Sequence, residues 1–206
     1  MAKLSVELNR FFFLEPRAPK VTLADILTLA GERTFGFLFV LLSLPSALPV
    51  PAPGYSIPFG ILMLLLAVQL IAGASQPWFP SSWQAKGFDL KQIQSIVKAG
   101  TPWLRRIEAI SRPRLSYLCT SLAGRVTIGG AIALMAISMM IPIPGTNTLP
   151  AIGIFVTGFG LLDDDGAISL GGLVLCAMGG TLSVFIFIFG YEAVKASIDI
   201  IRGLTF

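Results

Sequence analysis

The sequence predicts an all-α integral membrane protein with two helix-break-helix repeats (re-entrant or short hairpin), one C-terminal transmembrane helix and amphipathic surface helices. Three observations predict it. Of 206 residues, 54% are hydrophobic and only 13% charged, with a mean hydropathy of +0.81; a soluble domain carries about a quarter charged residues. The charges leave gaps of 52 residues after Arg33, 37 after Arg125 and 26 after Asp165, and one bilayer segment needs about 20 residues. Prolines interrupt the first two gaps near their middles and leave the third unbroken.

Residues 1–33 carry five basic residues, Lys3, Arg10, Arg17, Lys20 and Arg33. The apolar patch from Phe11 to Leu14 is too short for the apolar region of a signal peptide, so the first long apolar run is expected to act as an uncleaved insertion signal. Thr22 and Asp25 have capping-box spacing, with Asp in place of the usual Glu or Gln. Leu23, Ile26, Leu27 and Ala30 then share one helical face, as in an amphipathic helix that packs on a partner helix or lies on a membrane surface.

The first uncharged stretch is helix-compatible from Thr34 to Leu44. Pro45, Pro49, Pro51 and Pro53 then stop it, because each removes a backbone donor and clashes with the preceding turn. Helix is expected to resume at Pro58, a favourable first position with Ser56 as a nearby cap, and to run to about Gly73. At ~1.5 Å per residue both arms fall short of a ~30 Å hydrocarbon core.

Residues 74–125 hold eight Lys or Arg against Asp89 and Glu108 alone. Leu90, Ile93, Ile96 and Val97 make one apolar face, and Thr101 and Pro102 are read as opening a second short helix with Leu104, Ile107 and Ile110. Both are read as surface-lying and amphipathic, and Trp78 and Trp83 suit an interfacial aromatic belt. A basic run flanked by apolar spans is explained by membrane orientation and anionic lipid, not by nucleic acid.

The second uncharged stretch repeats the plan. Thr127 to Met140 is helix-compatible, Pro142, Pro144, Gly145 and Pro150 break it, and Ala151 to Leu162 resumes. Asp163, Asp164 and Asp165 point in different directions on any regular element and lack the spaced ligands of a calcium loop, so they read as a solvated turn and no metal is expected. Ala167 to Tyr191 is long enough to cross the bilayer once.

Displacing the sequence by 93 positions aligns residues 31–73 with 124–166 without a gap. The Pro49/Pro142 and Pro51/Pro144 breaks coincide, as do Gly36/Gly129 and Gly60/Gly153. The chain is thus read as one membrane domain. It comprises an N-terminal segment 1–30, repeat one 31–73, a basic segment 74–123, repeat two 124–166, and a span with its tail 167–206.

Duplicated broken helices point to a ligand site at the repeat interface, where irregular backbone must face protein or water. The candidate ligand residues are Asn147, Thr146 and Thr148, followed by Tyr55 and Ser56; the breaks themselves are Pro49, Pro51, Pro58, Pro142, Pro144 and Pro150. The competing reading is that these groups only cap helices and fill a tight turn. Thirteen of the fifteen basic residues lie in 1–33 or 74–125, so the N-terminus and residues 74–123 are expected to be cytoplasmic, with parallel or re-entrant repeats.

Much chemistry is excluded. There is no His, which removes imidazole zinc sites and His-dependent triads, and Cys119 and Cys176 are too differently placed to pair. No acid or base lies inside a break to support general acid-base catalysis. No catalytic residue, cofactor or nucleic-acid partner is expected.

An ordered set of strings carries a family resemblance: Gly31 to Gly36 (GERTFG), Leu44-Pro45, Gln76-Pro77-Trp78, Pro102 to Arg106 (PWLRR), Arg112-Pro113-Arg114, and Pro142 to Pro150 (PIPGTNTLP). Over roughly residues 20–190 the chain resembles the exopolysaccharide synthesis ExoD family of bacterial inner-membrane proteins. The resemblance implies a multi-pass protein of the bacterial plasma membrane linked to exopolysaccharide production, and supplies no catalytic residues. The expected function is a non-enzymatic, transporter-like or channel-like protein for a small solute or ion. The alternative is a scaffold or accessory subunit of polysaccharide-assembly proteins. The bilayer, a homodimer and assembly proteins are the partners considered; the Gly129-Gly130, Gly171-Gly172 and Gly179-Gly180 surfaces suit close helix packing, between copies or equally within the monomer.

Overall fold

In the computed structural model the described residues are 4–14, 20–22, 25, 27, 33–47, 56–80, 87–141 and 147–204. The elements are helix α1 (Leu4–Asn9) with a π-helical turn (Arg10–Leu14), strand β1 (Lys20–Thr22), α2 (Thr34–Ala47), α3 (Ser56–Ile71), strand β2 (Gly87–Asp89), α4 (Leu90–Ile110), α5 (Tyr117–Thr120), α6 (Leu122–Met140), α7 (Thr148–Leu162) and α8 (Gly166–Leu204). Two helical stretches, Leu122–Met140 and Gly166–Gly190, are long and apolar enough to cross a membrane; α2, α7 and residues 57–71 of α3 are apolar but shorter.

The helices form where uncharged sequence predicts them, and their ends show what starts and stops them. Ser121 caps α6, its hydroxyl accepting the Gly124 N–H at 3.1 Å, so α6 begins five residues before the expected Thr127. Pro58 and Pro150 do not open α3 and α7: each is the third residue of its helix, after Ser56 and Thr148. A first-turn N–H has no intrahelical partner, so proline costs nothing there. Pro45 lies inside α2, which continues to Ala47. Pro102 likewise lies inside a single helix, α4, where two short ones were expected. Its missing N–H orphans the Lys98 carbonyl on the exposed face, where water can take the bond, and the Thr101 hydroxyl donates back to the Val97 carbonyl at 2.6 Å.

Packing directions follow from close approaches between backbones. A Cβ at Gly36, near the start of α2, would stand 2.5 Å from the Leu162 nitrogen at the end of α7, and one at Gly158 would stand 2.7 Å from Phe39 Cβ; α2 and α7 are antiparallel. Gly129, near the start of α6, meets Ala67 and Ile71 of α3, while Gly60 at the other end of α3 meets Ala136 and Met140. These two are antiparallel as well. Helix α8 folds back on α7, pairing Ser169 with Gly160, Gly172 with Thr157, Cys176 with Gly153 and Gly179 with Pro150. It runs parallel to α6, where the Ser138 hydroxyl donates to Ser183 at 2.7 Å and Gly180 meets Met135.

The most extensive packings are therefore α7 with α8, α2 with α7, and α3 with α6, while α2 and α3, joined in sequence, touch much less. The starts of α2, α6 and α8 and the ends of α3 and α7 gather at one end of the bundle, here called the basic end. The far ends of α2 and α6 and the starts of α3 and α7 gather at the other, the break end. Phe37, Phe39, Met63, Ile132, Ile154 and Phe159 are among the buried side chains that fill the space between them.

A second layer covers one flank of α2. The expectation that residues 90–110 lie flat on a membrane surface is corrected: the apolar face of α4 packs on the protein, with Val97 and Leu104 buried and Gly100 against Leu44 of α2. The N-terminal segment docks on α4. Glu108, itself buried, accepts the Ser5 N–H and hydroxyl at 2.6 Å each, and Gln94 donates to the Phe12 carbonyl. Strands β1 and β2 pair antiparallel, Val21 opposite Phe88, a small departure from the all-α expectation. The Thr22–Asp25 capping box forms as expected, with Asp25 Oδ2 accepting the Thr22 N–H at 2.9 Å and the Thr22 hydroxyl accepting the Asp25 N–H at 3.2 Å.

Candidate functional site

Of the residues that sequence singled out, the break end carries Ser56, Pro58, Asn147, Thr148 and Pro150. Pro49, Pro51, Tyr55, Pro142, Pro144 and Thr146 lie outside the described residues. Asn147 sits at the N-terminus of α7 with helical backbone (φ −79°, ψ −21°); its carbonyl accepts the Ala151 N–H at 3.0 Å, and its side chain does not cap the helix. Thr148 and Ser56 are the first residues of α7 and α3. Pro58 is exposed, whereas Pro150 is buried against Gly179 of α8. The fold brings Ser56 and Thr148 to the same end of the bundle, each opening a helix two residues before a proline.

Around them the polar groups are few and satisfied. The Ser43 hydroxyl, fully buried near the end of α2, donates to the Phe39 carbonyl at 2.6 Å, and that of Thr157 donates to the Gly153 carbonyl at 2.8 Å. No formal charge lies between Arg33 and Lys86 or between Arg125 and Asp163. Any charge offered to a ligand here comes from helix termini: the N-terminal N–H groups of α3 and α7 and the last carbonyls of α2 and α6. Among the described residues no group of three or more Cys, Asp or Glu side chains could hold a metal ion.

The basic end is built differently. Arg33, at the start of α2, reaches Asp163 at 4.0 Å and Asp164 at 3.4 Å beyond the end of α7. Arg125, in the first turn of α6, donates to the Ala74 carbonyl beyond the end of α3. In both helix pairs, then, a basic residue at the start of one helix lies beyond the C-terminal end of the helix packed on it, a favourable placement for a cation.

Asp165 corrects the reading of the aspartates as a solvated turn. It is 1% exposed and caps α8, its Oδ1 accepting the Ala167 and Ile168 N–H groups at 3.0 and 3.3 Å, while Oδ2 accepts the Arg112 N–H at 2.9 Å. The signal was present in the sequence: an Asp immediately before a long apolar run is a helix-start signature. Cys119 is free and buried beside Ser169 and the Gly160 carbonyl, 3.5 Å from each. Burial raises its thiol pKa; the Ser169 bond works the other way, and the Asp164 and Asp165 charges add to the rise. Cys176 is also free and buried.

The profile of the family described as "Exopolysaccharide synthesis, ExoD" matches residues 4–185. An uncharacterized protein of Synechocystis sp. is 52% identical over 202 residues, covering 98% of this chain and 95% of the relative. Protein ExoD of Rhizobium meliloti is 27% identical over 185 residues, covering 87% of this chain and 75% of that protein. No solved structure matches the chain. Matched over most of its length and sharing half its residues with a near full-length relative, the chain belongs to the ExoD family, which is linked to exopolysaccharide synthesis.

Proposed function

We propose that the chain is a bilayer-inserted, non-enzymatic protein of the bacterial inner membrane that passes or senses a small solute or ion at its break end, and through it affects exopolysaccharide output. The observation that carries this reading is the crossed pairing of the arms. The first helix of each unit packs on the second helix of the other, α2 on α7 and α6 on α3, as expected of two copies of one helix-break-helix unit related by a pseudo-two-fold axis. The helix ends that flank the two breaks gather at one end, which supports parallel repeats over inverted ones.

Helix lengths support insertion of the breaks into the membrane. With 14, 16 and 15 residues, α2, α3 and α7 reach ~21 to 24 Å, against a ~30 Å hydrocarbon core. Arms rooted at the basic end would turn inside that core. Helix α8 passes them: its uncharged stretch continues twelve residues beyond Gly179, and Val184, Phe187 and Phe189 are each more than half exposed. An apolar helix with so little protein around it fits lipid far better than water. Backbone turning at that depth needs protein or water around it. Water has a route, because α4 carries exposed Lys98, Arg105 and Arg106 beside α2, and that flank cannot face hydrocarbon.

The ligand chemistry follows from the termini. The N-terminal N–H groups of α3 and α7 suit an anionic or carbonyl-bearing solute, and the carbonyls ending α2 and α6 suit a cation. Flux in proteoliposomes tests this, with wild type against Asn147→Ala. Faster collapse of an ion or small-solute gradient than in empty vesicles, slowed by Asn147→Ala, is the expected result. No flux, together with co-purification of a polysaccharide-assembly protein in fixed ratio, would replace this reading with the scaffold.

A further inference from the structure

At the basic end the segment between α4 and α5, residues 111–116, is held in a shape that its own sequence does not favour. Two hydrogen bonds fasten it to the start of α8: the Arg112 N–H donates to Asp165 Oδ2 at 2.9 Å, and the Gly166 N–H donates to the Arg114 carbonyl at 2.6 Å. Leu115 has φ +50°, a left-handed conformation that is unfavourable for a bulky side chain. The contact that enforces it leaves no room on the other side, since a Cβ at Gly166 would stand 2.3 Å from the Leu115 oxygen.

What this strain achieves is presentation. Arg112, Pro113, Arg114 and Leu115 are all exposed, Leu115 to 63%, and the flanking Tyr117 to 73%. Neither guanidinium pairs with a carboxylate among the described residues, for Asp165 is taken by backbone N–H groups and Asp163 and Asp164 face Arg33. Next in the chain, Leu122 and Val126 are exposed at the start of α6, one of the two helices able to cross a bilayer. Two exposed guanidiniums on a fixed backbone are thus followed by an exposed leucine and tyrosine, beside the start of a helix able to cross a bilayer.

We propose that this segment is a docking site for anionic phospholipid of the leaflet at the basic end. Arg112 and Arg114 take phosphodiester oxygens, for which the planar guanidinium fork is suited, and Leu115 and Tyr117 enter the interfacial zone beside them. The charge complementarity identifies the partner, because an apolar residue beside two unpaired cations matches an anionic amphiphile and not a neutral one. The proposal rests on insertion of the chain in a bilayer, and is independent of whether a solute is transported.

The test is thermal unfolding of the full chain in neutral detergent while phosphatidylglycerol is titrated in, with phosphatidylcholine and inorganic phosphate in parallel. Phosphatidylglycerol is expected to raise Tm saturably and the other two to leave it unchanged. A basic residue near an anionic surface contributes about fivefold in affinity, so Arg112→Gln with Arg114→Gln should shift the midpoint about 25-fold, and Arg114→Gln alone about fivefold. The double Lys variant should retain most of the effect. Equal stabilisation by phosphatidylcholine, an equal effect of inorganic phosphate, or an unshifted midpoint in the Gln variants overturns the site. If the double Gln variant is already less stable without lipid, the single Gln and double Lys variants decide. Extraction of the wild type from membranes by alkaline carbonate is a separate result, and would overturn the bilayer reading itself.

Discussion

A Cβ added at Gly36 would run straight into the backbone of α7, and replacing this glycine by alanine tests the pairing of α2 with α7. The new Cβ would stand 2.5 Å from the Leu162 nitrogen, 2.7 Å from its Cα and 2.8 Å from the Gly158 oxygen. All three are backbone atoms, which cannot swing aside. Ordinary carbon contacts begin near ~3.5 Å, so α2 and α7 must separate by about 1 Å. Such overpacking costs up to ~3 kcal/mol where the backbone cannot yield, against which the better helix propensity of alanine returns about 1 kcal/mol; a net loss of ~2 kcal/mol is expected. Gly130→Ala is the control, because a Cβ there meets nothing within 4 Å and propensity alone should stabilise it, by up to ~1 kcal/mol. Gly129→Ala, the counterpart of Gly36 in the second unit, should fall between them: its nearest neighbour, at 2.7 Å, is the movable Ile71 side chain. Unfolding of the full chain in detergent by a denaturant series reads all three. A Gly36→Ala protein as stable as wild type, or one no worse than Gly130→Ala, would refute the close packing of α2 on α7.

Other residues give further checks. Asp165→Ala strips acceptors from the N–H groups of Arg112, Ala167 and Ile168 and should cost ~2 kcal/mol in the same unfolding assay, while protease cleavage within 111–116 should accelerate. The thiol of Cys119, its pKa raised by burial, should resist maleimide at about pH 8 in the folded protein and react at once on unfolding; rapid labelling of the native state would contradict its placement. Since the folded thiol holds its proton more tightly than the unfolded one, stability should be level below pH ~9 and decline above it as the unfolded thiol ionises. Cys119→Ser should flatten that decline.

Much of this structure was legible because it depends on local chemistry. Long uncharged runs became helices, the Thr22–Asp25 box formed, and the cysteines stayed apart. Prolines misled wherever their surroundings removed their cost. Pro58 and Pro150 fall in first turns, where their N–H would have no partner, and Pro102 lies on an exposed face, where water takes the orphaned carbonyl. The family was legible from its strings of Pro, Gly and Arg. Two things were not legible. One was the exchange of partners between units, which depends on Gly36 and Gly158, far apart in sequence, meeting across α2 and α7. The other was docking of the N-terminal segment on α4, which turns on one buried carboxylate, Glu108, finding Ser5. Asp165 was overlooked for another reason: among three adjacent aspartates, only the third has the position to cap, and its neighbours disguised it as a solvated run.

The central claim is that a bilayer surrounds the bundle with both units rooted at the basic end and only α8 passing on to the other side. Topology reporters fused after residues 75, 115, 165 and 206 test it most directly. The first three sites lie together at the basic end, joined through Arg125 to Ala74, Arg112 to Asp165 and Gly166 to Arg114. All three should report the cytoplasm, and the fourth the opposite side of the membrane. A split among the first three, or a fourth reporter on the same side as them, would contradict the account.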